Sequence, residues 1–316
     1  MQLCVLHLDD SFRGQSNFLA SCRNAGAVEL ELGDLATPIR LWGFHNEIEA
    51  FQRQLASCLQ RTSQPRLAFI GSGDFHHISA FLLGMALNEQ QNSTTLIHFD
   101  NHPDWVKFAK GMHCGSWVNR ALEDRKVAKV ITIGVCSHDL KSPEPKLANL
   151  DLLSQGRLEI YPYQHEPSEV SGTYGEGASF VQVGNQLRWH TIEEAGEQNF
   201  LDSLVDRIRT DTVYLTIDKD VLAPTDAVTN WDQGRMRLAY LVSLIERVAR
   251  HKVVIGADVV GDYSRPTYSG GPRALLSKYY EAIKDHPRQM SDAGQRAAIN
   301  DAGNRILLKT LTKVIQ

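Results

Sequence analysis

Short apolar runs recur along the chain with little alternation inside them. LCVLHL (3–8), RLAFIG (66–71), TTLIHF (94–99), KVITIG (129–134), LEIYPY (158–163), TVYLTI (212–217) and HKVVIGADVV (251–260) are rich in β-branched residues. Such runs fit strands buried on both faces, as in a parallel sheet. Between them the apolar spacing changes to three and four. Residues 47–61, 78–90, 200–209 and 236–250 read as helices, and in the last of these Leu238, Leu241, Val242, Ile245 and Val248 form one stripe. Strands alternating with helices predict an α/β fold, a three-layer α/β/α sandwich around a mostly parallel sheet. The stretch 141–190, with KSPEP, HEPSE and SGTYGEG, is loop-rich yet interrupted by apolar runs. It reads as excursions from one domain spanning 1–316, not as a linker.

Composition narrows the function classes. With 316 residues, 42% hydrophobic, the chain can bury a large core. Its 33 basic and 37 acidic residues are mixed along the sequence, which argues against a nucleic-acid partner. The first residues, MQLCVLHLDDS, lack the basic and then apolar pattern of a signal peptide, and no run approaches the ~20 apolar residues of a membrane span. Five cysteines without CxxC spacing suggest reduced thiols. A cytoplasmic protein without membrane partners is the expectation.

In an open α/β sheet, ligands gather outside the carboxyl ends of the strands. TTLIHF runs into Asp100-Asn101-His102-Pro103-Asp104, and in an extended segment Asp100, His102 and Asp104 would share one side. TVYLTI runs into Asp218-Lys219-Asp220 with the same spacing. A single strand-end aspartate is commonplace as a helix cap or nucleotide-site carboxylate, but no GxxxxGK[ST] accompanies these. Four carboxylates and a histidine at one sheet edge would repel strongly without cations. Histidine and aspartate ligands without cysteine point to Mn²⁺, ahead of Zn²⁺, Fe²⁺ and Co²⁺.

A second strand end, FIGSGDFHHIS (69–79), carries most of a dinucleotide-binding fingerprint. The third glycine, however, is replaced by His76, and the acid that would hold a ribose is Asp100 itself. A histidine at this turn, His76 or His77, would instead face the same metals.

These residues resemble the ureohydrolases, the family of arginase, agmatinase and formiminoglutamase. Its glycine-glycine-aspartate-histidine motif looks like Ser72-Gly73-Asp74-Phe75-His76 with one residue inserted. Its D-A-H-x-D looks like 100–104, and its S-x-D-x-D with a trailing proline looks like Thr216-Ile217-Asp218-Lys219-Asp220 with Pro224. The resemblance covers about residues 65–262. It implies an arginase-like fold with a parallel sheet of about eight strands and a centre of two Mn²⁺ ions. Asp100 and Asp218 would bridge the ions, His76 and Asp104 would complete one site, and His102 and Asp220 the other. A hydroxide shared by the cations would attack a guanidinium carbon. His113, in MHCGSW, resembles the family's proton shuttle. The strand-end glutamate that binds the guanidinium in arginases is replaced by Gly261, and Asp262 is the candidate to supply that carboxylate or else to cap the strand. Trimers occur in the family, so a homo-oligomer is compatible with the resemblance.

One departure bears on substrate. Arginases for free arginine hold its α-amino and α-carboxylate groups with asparagine, serine and threonine residues after the D-x-H-x-D motif. Here that loop is WVKFAKGM (105–112), almost without such donors. Unpartnered α-groups would make free arginine a poor ligand. The expected partner is therefore a guanidino-containing peptide, with peptidyl arginine converted to peptidyl ornithine and urea, ahead of an agmatine-like small molecule. Trp105, Phe108 and Trp117 would suit a larger apolar substrate, although aromatic residues are more often core. A formiminoglutamase-type hydrolase, a mononuclear zinc amide deacetylase and a non-enzymatic binding module are the competing readings.

Overall fold

The computed structural model describes residues 1–59, 62–287 and 292–315. Its centre is an eight-stranded sheet of β1 (Gln2–His7), β2 (Val28–Glu31), β3 (Arg66–Gly71), β4 (Thr94–Phe99), β5 (Val127–Ile133), β6 (Leu158–Tyr161), β7 (Thr212–Asp218) and β8 (Val253–Val260). The order is β2-β1-β3-β8-β7-β4-β5-β6 and every pairing is parallel. Burial on both faces explains the missing alternation, since every residue of β4 is buried.

The strands sort their side chains by parity between two cores. Cys4, Leu6, Ala68 and Ile70 face helices α2 (His45–Cys58), α3 (Ser79–Asn88) and α4 (Trp117–Glu123). Leu3, Val5, Leu67 and Phe69 face α1 (Ser16–Asn24), α5 (Glu197–Arg207), α6 (Leu238–Ala249) and α8 (Ala293–Val314). The helix expected over 47–61 begins two residues earlier and ends at Cys58; Gln60 and Arg61 lie outside the described residues. No helix among the described residues is long and apolar enough to cross a membrane.

Three features were not legible as periodicity. The edge strand β2 reads VELE and is only partly buried. Helix α8 buries Asn300, Asp301 and Asn304 where a stripe of aliphatic residues would be expected. Those polar groups bond backbone and side chains across the core, Asn300 to Val228 and Asp301 to the N–H of Phe18. The loop-rich stretch holds a small antiparallel sheet of Ser168–Glu169, Glu176–Gly177, Phe180–Val183 and Gln186–Trp189. Phe180, Leu187 and Trp189 anchor it to the first core.

Two elements outside the main sheet stand at the carboxyl ends of its strands. A short antiparallel ladder pairs Trp42–Phe44 with Gly111–His113. Helix α7 (Pro272–Asp285) packs through Ala282 on a small cluster with Leu41, Trp42, Cys114 and Tyr268, while Leu276, Tyr280 and Ile283 stay exposed.

Candidate metal centre

The two aspartate motifs lie in turns, and the expected extended geometry does not hold. Asp218 Oδ1 accepts the backbone N–H of Asp220 at 3.0 Å, folding Lys219–Val221 into a short 3-10 turn. After β4, Asp100 Oδ1 accepts the N–H of His102 at 2.6 Å, and Asp104 takes a left-handed φ of 50°. An aspartate carboxylate can hydrogen-bond the backbone two residues on, so these side chains shape the turns that gather them.

His76 enters from the 3-10 turn Gly73–Ile78 after β3. Its Nδ1 lies 3.0 Å from Asp100 Oδ2, 3.1 Å from Asp104 Oδ2 and 3.5 Å from Asp218 Oδ2. His102 Nδ1 lies 2.9 Å from Asp220 Oδ2 and 3.6 Å from Asp100 Oδ1. Two groups with metal-ligand geometry result, one of His76, His98, Asp100 and Asp104 and one of Asp100, His102 and Asp220. Asp100 belongs to both. Gly73 allows the close approach of its turn, because a Cβ there would sit 2.9 Å from Asp218 Oδ2. His77, the other candidate, is a core residue: neither ring nitrogen has a hydrogen-bond partner, and burial, aided by the charges of His113 and Lys278, lowers it to about 3.

The donor chemistry fits cations at both groups. His76 presents Nε2 to Thr216 Oγ1 at 3.0 Å, and that hydroxyl donates to Asp258. His76 Nε2 is therefore the donor and the Nδ1 lone pair faces the carboxylates. His102 sends Nε2 to Asp232 Oδ1 at 2.8 Å and again leaves Nδ1 for the cluster. Such outward partners orient metal-binding imidazoles. The carboxylates are also overcrowded with negative charge: burial and then the charge of Asp100 push Asp218 up to about 7. Burial and Asp218 raise Asp220, and burial and Asp100 raise Asp104. Cations at the two groups would relieve this repulsion.

Several supporting residues escaped sequence reasoning. His98 Nε2 lies 2.8 Å from Asp100 Oδ2, and the same i, i+2 parity extended one step back from Asp100 would have found it. Trp117 Nε1 donates to Asp104 Oδ2 at 2.7 Å. Asp232 is in a loop with no pattern to mark it, and Asn101 Nδ2 ties that loop to the motif. Asp74 of the first motif is turned away from the ligand groups, toward the buried Arg40 guanidinium at 2.7 Å and Trp231 Nε1 at 3.0 Å.

The groups open into a cleft of about 490 Å³. His113 lines it from the ladder. Its Nδ1 accepts the N–H of Gly115 at 2.8 Å, so its proton sits on Nε2, 2.5 Å from Glu281 of α7. Burial lowers this imidazole, but Glu281 outweighs that and leaves it raised. Of the aromatic candidates only Trp105 reaches the cleft; Phe108 stacks near Trp42 and His113, and Trp117 lies against His76 and His98.

Asp262 requires a correction. It lies outside the cleft, with Oδ1 accepting from Gln15 Nε2 and Lys219 Nζ, both at 2.7 Å, and Asn304 Nδ2 bonding both oxygens at 3.1 Å. The buried Lys219 ammonium, pointing away from its aspartate neighbours, claims this carboxylate, so it cannot receive a guanidinium. Gly261 before it has φ 93°, and a Cβ would come 2.3 Å from Asp218 Oδ1. No side chain fits at that strand end.

No protein-family model matches the chain. An uncharacterized protein of Thermotoga maritima is 22% identical over 196 residues, which span 62% of this chain and 58% of that protein, so the match covers little more than half of the relative's length. Among solved structures, arginase from Bacillus cereus is 15% identical with a TM-score of 0.59, covering 96% of this chain and 98% of that one. Proclavaminate amidino hydrolase from Streptomyces clavuligerus is also 15% identical, with a TM-score of 0.53 and coverage of 96% and 92%. Near-complete coverage at so low an identity shows a shared architecture and leaves the activity to be argued from the site. The chain has the arginase fold, in a divergent form.

Proposed function

We propose that the protein is a binuclear metal-dependent amidinohydrolase that releases urea from a guanidino side chain. The observation that carries this is the pair of ligand groups sharing Asp100 on the floor of the cleft. One ion would be held by His76, Asp104 and Asp100, the other by His102, Asp220 and Asp100, with Asp218, whose Oδ2 lies 3.5 Å from His76 Nδ1, a further ligand between them. Mn²⁺ suits these hard oxygen and imidazole donors. When bound, the two cations would activate water and offset the charge developing at the amidine carbon.

The chain's own residues do the rest. Asp232 and the Thr216–Asp258 pair hold the imidazoles in the tautomer that leaves Nδ1 for metal. In its neutral form His113 has one proton, on Nε2; taking up a second, which Glu281 favours, would let it protonate the leaving amine and return to the neutral imidazole. Trp105 and Val106, the residues of loop 105–112 that line the cleft, offer a single side-chain donor between them, the indole N–H of Trp105, and no cation for an α-carboxylate. This favours peptidyl arginine over agmatine-like amines, and both over free arginine. The folded unit is taken to span 1–316, since β1 lies inside the sheet and α8 packs on α1 and α6. Five free thiols accord with a cytoplasmic setting.

The test is metal analysis of the purified protein coupled to urea assay on an arginine-containing peptide, agmatine and free arginine. We expect two ions per chain and turnover greatest on the peptide. Free arginine as the best substrate would overturn the substrate reading, and no metal-dependent urea release from any of them would overturn the activity.

A further inference from the structure

A guanidinium entering this cleft needs an anionic partner that is not already committed, and the strand end does not provide one. Asp262 is bound to Lys219, and position 261 has no room for a side chain. Apart from the aspartates of the ligand groups, the other carboxylates in the cleft are more open to solvent: Asp139 beside Lys146, Asp285 beside Lys284 and Asp232 on His102 have side chains 41%, 37% and 46% exposed. Glu281 is more enclosed. Its only hydrogen bond among the described residues comes from His113 Nε2 to Oε1, leaving Oε2 free, and its side chain is 21% exposed. Helix α7 therefore carries an uncommitted carboxylate oxygen into the cleft, beside the group placed to protonate the leaving amine.

We infer that Glu281 receives the guanidinium of the substrate and makes the cleft selective for a cationic amidine. Its free oxygen accepts guanidinium N–H groups while the other holds His113 Nε2–H until a proton passes to the leaving amine. A carboxylate suits this because guanidinium presents several N–H donors in one plane. The selective carboxylate thus comes from a helix outside the sheet. This assignment rests on the amidinohydrolase reading for its substrate, but it concerns recognition and is tested by binding.

The experiment compares the Mn²⁺-loaded protein with Glu281→Gln, which keeps the shape and removes the charge. Binding of methylguanidine and of its neutral isostere methylurea is measured by calorimetry, and KM and kcat are measured on an arginine-containing peptide. We expect the wild type to prefer methylguanidine and Glu281→Gln to lose roughly 10–100-fold of that preference, the range of a charged hydrogen bond. KM should rise more than kcat falls, with metal content and melting temperature unchanged. Glu281→Asp, which keeps the charge on a shorter arm, should recover part of the preference, and it serves as the variant of record if the glutamine protein does not fold. Equal preference in wild type and Glu281→Gln, or no methylguanidine binding to the wild type, overturns the assignment. Methylguanidine binding through Glu281 without urea release would instead leave it standing and remove the hydrolytic reading.

Discussion

The ligand cluster and helix α7 line the same cleft but are held in different ways. Asp100, Asp218, Asp220 and His76 are all at most 3% exposed, and each is fixed by a turn or by a side chain of the core. Helix α7 leans on a small cluster through Ala282, on Lys278 Nζ donating to Pro38 O at 2.6 Å, and on the Glu281–His113 contact. Its outer face leaves Ile283 81% exposed. On the proposed reading the cluster would hold the reacting groups with little displacement, and α7 would meet what arrives. One fold can thus keep its reactive floor while the residues that select a substrate change.

Substitutions should separate the two regions, beginning with the floor. Asp100→Asn removes the carboxylate common to both ligand groups. Turnover should fall by far more than the ~10–100-fold typical of losing an outer partner, with metal content reduced at both positions. Asp232→Asn, which alters only the partner of His102, should stay within that smaller range, as judged by metal titration and steady-state rates. Similar losses for the two variants would break the distinction between floor and support.

Asp262 gives a converse test. Asp262→Ala leaves the Lys219 ammonium buried without its anion, and removing one partner of such a pair costs about 3–5 kcal/mol. Chemical denaturation should show that loss while KM of the surviving folded protein stays close to wild type. A large KM effect with unchanged stability would restore the guanidinium role that the geometry denies it.

The pH response of the metal-free protein follows from the crowded floor. Asp218 is raised from 3.8 to about 7, so between those values the folded state keeps a proton that the unfolded chain has released. Stability therefore falls as pH rises through that window. His76 and His102 are raised above 6.5 despite their burial, mainly by neighbouring aspartates, and their contribution is likewise lost as pH rises through their folded values. Melts from pH 5 to 8 in chelator should show a declining Tm, and added Mn²⁺ should stabilise most at the upper end, where its ligands are deprotonated. A metal-free Tm that climbs over this range would contradict the crowding argument. The smallest effect is expected on the outside of α7: Ile283→Ser should change stability by no more than about 0.5 kcal/mol.

The same contrast explains what could be read from the sequence. Strands buried on both faces leave continuous apolar runs, so β3 and β4 match their predicted limits at Arg66–Gly71 and Thr94–Phe99. Aspartate and histidine packed tightly after those runs revealed the floor. What periodicity could not show was that these motifs are turns, because an Asp closing on the N–H two residues later looks the same in sequence as an extended D-x-D. His76 and His77 could not be separated either, since their difference is one of rotation within a 3-10 turn. Glu281 and Asp232 were invisible for another reason: they reach the site from segments whose own pattern carries no sign of the sheet. Asp262 misled because its position at the strand end is correct while its side chain serves Lys219 on the other side.

Anomalous scattering from crystals grown with Mn²⁺ tests the central claim most directly. Two manganese peaks are predicted in the cleft, both coordinated by Asp100, one beside His76 and Asp104 and the other beside His102 and Asp220. A single peak that does not touch Asp100, or no manganese in the cleft, would contradict the two-metal account.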